Sequence, residues 1–78
     1  MNKKHMITID SWTTVAETET DSDISGREFA FKELNGYMAN LPASIDAKSV
    51  EYSIDGEVVE KFVFEYDFDD DKWVGRDA

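Results

Sequence analysis

The chain contains no cysteine. Disulfides, thiolate metal sites and cysteine nucleophiles are therefore excluded. The same absence suits a reducing cytoplasm, which is the expected location. There is one histidine, His5, at the very start. A catalytic triad needs a histidine beside a nucleophile, and nothing near His5 supplies that setting. No glycine-rich phosphate loop is present. No apolar run approaches the ~20 residues of a membrane span, and no signal-peptide core is visible. Basic residues are scarce: 8 Lys and Arg against 18 Asp and Glu, for a net charge of -10. Nucleic acid and anionic membranes would repel such a chain. The expectation is a protein without catalytic activity or cofactor, whose partner is a basic protein or a cation, unless the charge serves only solubility.

What is there is one small domain. Seventy-eight residues allow no more. Hydrophobic residues make up 41% of them, enough for one core and too many for a disordered chain. The opening "MNKKHM" resembles a vector remnant, because His-Met is what one common cloning site encodes. Without Lys3 and Lys4 the net charge would move from -10 to -12. Residues 1 to 5 are expected to be a tag or a disordered end, and the domain to run from 6 to 78.

Local signals suggest an order of β-α-β-β-β. "MITIDSWTTVA", residues 6 to 16, is rich in β-branched residues and reads as one strand, with Trp12 on the less buried side or shifted by a bulge. "ETETDSD" follows as a solvated loop. Ser25 and Glu28 have the spacing of a capping box, and Ile24 and Phe29 that of a hydrophobic staple. Ala30, Phe31, Leu34, Tyr37, Met38 and Leu41 then form one helical stripe, and Pro42 stops it. The helix is placed at about 26 to 40.

Val50, Tyr52 and Ile54 alternate with polar residues as a half-buried strand. Asp55-Gly56 is a turn signal. Beyond it, Val58, Phe62, Phe64, Tyr66 and Phe68 share a face, with Glu60 the exception. A two-residue loop kept in simple register would split the apolar set across both sheet faces. A three-residue loop with a bulge and a left-handed glycine would reunite it. After the aspartate run, Trp73-Val74 begins a last strand. The fold class is α+β, an antiparallel sheet with one helix packed on one face.

The acids form two clusters: Glu17, Glu19, Asp21 and Asp23, then Glu65, Asp67, Asp69, Asp70 and Asp71. Asp67, Asp69 and Asp71 have the i, i+2, i+4 spacing of a calcium loop. The glycine and glutamate such a loop wants at its sixth and twelfth positions are replaced by Lys72 and Ala78. The plainer reading is a turn whose aspartates bond their own backbone. The aromatics 62, 64, 66 and 73 lack the interleaved bases of a nucleotide-stacking platform, so the phenylalanines are expected in the core. Trp12 and Trp73 are candidate contact anchors. Alternate carboxylates on a strand stand ~6.6 to 6.8 Å apart, so Glu65 and Asp67 could stand in for a phosphate row.

In size, charge and aromatic content the chain resembles DNA-mimic inhibitors of phages and mobile elements, including anti-restriction and anti-CRISPR proteins. It equally resembles immunity proteins that block basic nucleases. The resemblance rests on profile over the whole chain rather than on a motif. It implies an inhibitor that occupies a basic nucleic-acid site, with the two acidic clusters and Trp73 as partner contacts. Two other readings stand beside it. One is a structural module or homodimer with the charge serving solubility, and the other a weak cation-binding domain.

Overall fold

A computed structural model describes residues 1–78. The elements are β1 (Lys3–Ile9), β2 (Thr13–Thr20), α1 (Asp23–Ala39), β3 (Lys48–Ile54), β4 (Glu57–Asp67) and β5 (Lys72–Asp77). They form one antiparallel sheet in the order β2-β1-β3-β4-β5, with α1 across one face. The α+β class with a single helix is as expected. The sheet has one strand more, because residues 6 to 16 are not one strand. Asp10 and Ser11 both take positive φ, 54° and 70°, and the chain folds back on itself there. Aspartate tolerates the left-handed region better than most residues. The supposed loop from Glu17 to Thr20 belongs to β2.

Lys3, Lys4 and His5 also lie in β1, and His5 is completely buried. The expectation that residues 1 to 5 would be disordered does not hold for these three. β1 is an interior strand flanked by β2 and β3, so its residues gain partners on both edges. The His5 Nδ1 lies 2.7 Å from the Tyr52 hydroxyl. Gly26 of α1 faces the same imidazole, where a Cβ would come within 2.3 Å of the ring.

Two aspartates extend the β1–β3 ladder at its ends. The Asp10 N–H donates to Ser49 O at 2.8 Å, and Ser49 N–H donates to Asp10 Oδ1 at 3.3 Å. At the other end, Asp55 N–H donates to Lys4 O and Lys4 N–H to Asp55 Oδ1, both at 2.8 Å. Each residue has left-handed backbone. In each pair the carboxylate oxygen takes the N–H that a strand carbonyl would otherwise accept.

The helix starts three residues earlier than the Ser25 cap places it. Ser22 is the N-cap, and its Oγ accepts the Ser25 N–H at 3.2 Å. Asp23 in the first turn complements the helix dipole. Ile24 is 73% exposed, so no staple forms. The inward stripe is Gly26, Ala30, Leu34 and Met38, as i+4 spacing dictates.

The β3–β4 turn has two residues, with φ of 52° at Asp55 and 83° at Gly56, rather than the expected three. Ile54 pairs with Glu57 and Ser53 with Val58. A bulge then shifts the register, and Tyr52 pairs with Glu60, Val50 with Phe62 and Lys48 with Phe64. The tight turn and the bulge together bring the apolar residues to one face, the outcome expected of the longer loop. Val58 is the casualty. It pairs with Ser53, on the side away from Tyr52, and is 43% exposed.

The core is Ile7, Ile9, Ala16, Ala30, Leu34, Met38, Val50 and Tyr52. None of it comes from β4 or β5. Phe62 and Phe64, expected in the core, pack against it from one side and stay partly exposed. Four inter-strand spacings of ~4.8 Å make a sheet ~19 Å wide, whereas a helix is ~10 Å across. α1 lies mainly over β2 and β1. It reaches the far strands through Phe31, set edge-on to Phe62 at 5.3 Å, and through Arg27, which clasps Glu60.

Candidate functional site

The register separates the two acidic clusters. Glu17 lies opposite Met6, Met6 opposite Ser53, and Ser53 opposite Val58. Glu65 is seven residues farther along β4, six pairing steps once the bulge is discounted, ~20 Å at strand rise, and three strands across, ~14 Å. The clusters therefore occupy opposite corners of a molecule 45 Å long. They do not build one continuous face.

Nor is either strand segment a clean row of negative charge. On the face away from the helix, Glu17 pairs with Lys4 at 3.0 Å. Glu65 is bound by Arg76, and Asp67 sits opposite Lys72 across β4 and β5. Glu65 and Asp67 thus stand among bases, which weakens the phosphate-row expectation. The negative charge is concentrated elsewhere. Residues outside the regular elements include seven acids, Asp10, Asp21, Asp46, Asp55, Asp69, Asp70 and Asp71, and no base. The elements hold the other eleven acids and all eight bases. Most of the net charge of -10, seven units, therefore lies at the turns.

Of these turns, one projects. β4 is eleven residues long and its pairing with β3 ends at Phe64 and Lys48. From Glu65 onward, β4 and β5 continue as a two-stranded arm. At its tip the Asp67 Oδ1 accepts N–H groups from Asp69, at 3.0 Å, and Asp70, at 3.2 Å. This is the backbone-bonding turn that the plainer reading describes. Asp71 takes the left-handed residue at its end, φ 56°, and its Oδ1 accepts the Tyr66 hydroxyl. That bond, followed by desolvation, raises the Tyr66 phenol above its ordinary pKa. No group of three or more His, Cys, Asp or Glu is arranged to hold a metal ion.

The two tryptophans proposed as anchors lie in different surroundings. Trp12 sits on the first hairpin turn, 85% exposed and away from the arm. Trp73 is half-buried, its Nε1 donating to Leu41 O at 3.4 Å and its ring edge-on to Tyr66 at 5.5 Å. Phe68, expected on the apolar face of the strand with Phe62 and Phe64, lies beyond the end of β4 and is a further candidate anchor. It is 60% exposed at the acidic tip, with its ring 4.9 Å from Tyr66. The signal was its position, since it ends the apolar alternation and has aspartates on both sides. Asp21 and Asp23 flank the helix start at the opposite end, where Asp23 pairs with Lys3 at 3.4 Å.

No family model, curated protein or solved structure matches the chain.

Proposed function

We propose that this chain is a small acidic, non-catalytic domain that binds a basic protein through the tip of its β4–β5 arm and acts as an inhibitor. The observation that carries the reading is the tip itself. Asp69, Asp70 and Asp71 surround an exposed Phe68 with no base in the turn, on an arm that outruns β3. Dispersed charge at this density speeds encounter with a positive surface, and an aromatic at its centre supplies an anchor. The basic cleft of a nucleic-acid-binding protein or nuclease is the fitting partner class, with the projecting tip rather than a strand row taking the place of phosphate. The cytoplasm is the corresponding location.

The unpaired outer edge of β5 supports a second reading, an assembly module or homodimer joined along that edge. Salt separates the two. Association with a captured basic protein is measured for wild type and for Asp69→Asn/Asp70→Asn at ~50 and ~300 mM salt. The docking reading expects the variant to associate ~10-fold more slowly at low salt, and the two to converge at high salt. Equal rates at both salts would sink it.

A further inference from the structure

Between the C-terminal half of α1 and the root of the arm lies a cleft of about 300 Å³. Its walls are Met38 and Leu41 on one side and Phe64, Tyr66 and Trp73 on the other. The Phe64 ring lies over Gly75, where a Cβ would come within 2.8 Å of it. That close approach keeps the ring low and the space above it open. The volume is at the bottom of the range for small-molecule sites, and suits one side chain better than a cofactor.

The lining carries one acid and one base, Asp71 and Lys72. Asp71 is the one acid on its lining and belongs to none of the five ion pairs. The Tyr66 hydroxyl occupies its Oδ1 and leaves Oδ2 for another donor. Lys72 also touches the cleft, but it precedes Trp73 on β5, so strand alternation sends its side chain toward Asp67 on the other face. The last turn of α1 holds no basic residue, and its carbonyls are capped by Asn40, whose N–H and side-chain amide donate to Tyr37 O and Gly36 O, and by the Leu41 N–H on Met38 O. Aromatic faces and a carboxylate with a free oxygen favour a cation.

We propose that this cleft receives an arginine side chain from the basic partner, its stem against Met38 and Leu41, its guanidinium resting on the exposed side of the Tyr66 and Trp73 rings and donating to the free Asp71 Oδ2. Arginine fits better than lysine because a planar head stacks on rings while donating to a carboxylate. The inference rests on the docking reading and adds a specificity pocket behind the charged tip.

The test uses the whole chain, labelled with ¹⁵N, and two capped peptides, Gly-Arg-Gly and the same peptide with neutral citrulline. The arginine peptide should move the Trp73 indole resonance and the amides of Met38 and Leu41. Citrulline should bind ~10-fold more weakly or not at all. Asp71→Asn keeps the left-handed backbone and the Tyr66 acceptor, and should weaken the arginine peptide by ~10-fold. Ala39→Leu, on the cleft wall at the exposed end of the helix, should block entry without changing any charge. Asp69→Asn/Asp70→Asn should weaken the arginine peptide less than Asp71→Asn does, since neither carboxylate lines the cleft. Equal binding of citrulline would overturn the pocket. So would unchanged affinity in Ala39→Leu with a normal melt, or shifts confined to residues 69 and 70. The last result leaves docking through the tip intact. If the arginine peptide fills the cleft but no salt-dependent association with basic proteins exists, the pocket stands and the docking reading fails.

Discussion

β1, β2, α1 and β3 contain every fully buried apolar residue, whereas β4 and β5 contain none. Yet β4 has the denser apolar alternation of the two regions, with Phe62, Phe64 and Tyr66 at every second position. The difference lies in the helix. One helix covers two or three strands, and here it covers those nearest β2 and β1. The same alternating pattern therefore becomes core on one side of the sheet and half-covered wall on the other. Composition tells how much apolar surface a chain owns, and topology decides how much of it is hidden.

The largest effect should come from breaking the covered side. Leu34→Ala removes a side chain that is 1% exposed and should cost ~2–5 kcal/mol. Phe64→Ala should cost less, ~1–2 kcal/mol, because only part of its surface is buried. Urea melts of the two variants measure the difference. Equal losses would mean that the β4 side of the sheet is packed as firmly as the side under the helix.

A smaller effect tests where the covered side begins. Ser22→Ala deletes the cap acceptor and should lower stability by ~1 kcal/mol. Ser25→Ala leaves that acceptor in place and should change the melt by less than half as much. A larger loss at Ser25 would restore the start expected from the capping-box spacing.

The smallest effect concerns the clasp between the two regions. The Arg27 Nε and Nη2 donate to the Glu60 oxygens at 2.9 and 3.2 Å. The hydrogen bond to Arg27 holds the Glu60 carboxyl below its ordinary pKa, against a smaller opposing effect of burial. A lowered folded-state value stabilises the protein above the unfolded pKa, and that contribution is lost as the pH falls through the lowered value. Both side chains are substantially exposed, so Glu60→Gln should cost only ~0.2–1 kcal/mol near neutrality. The gap between wild type and variant should close in acid. A gap that persists there would assign the effect to packing rather than charge.

Much of this was legible in residues. The stripe of Ala30, Leu34 and Met38, the strand of Val50 and Tyr52, and the reunion of Phe62 and Phe64 on one face all follow from period and burial. Three things were not. Asp10-Ser11 makes a tight turn without the glycine that advertises one, so a hairpin looked like a single strand. Ser22 and Ser25 are both good caps, and spacing alone favoured the wrong one. The reach of the helix over the sheet depends on packing angle and width, which no periodicity encodes. At the arm, the sequence marked Asp69 to Asp71 as an exposed turn. The pairing of Glu65 with Arg76 and the separation of the two clusters needed the register.

The contact between Gly26 and His5 links two positions that lie twenty-one residues apart in the chain. A helix interior gains ~1 kcal/mol when glycine becomes alanine, but here the new methyl would meet an imidazole held between β1 and α1. Neither position is free to drift alone. Among relatives that keep this fold, a side chain at 26 should appear only where residue 5 has become small. Such paired substitution would mark the first strand as part of the inherited domain rather than an appendage.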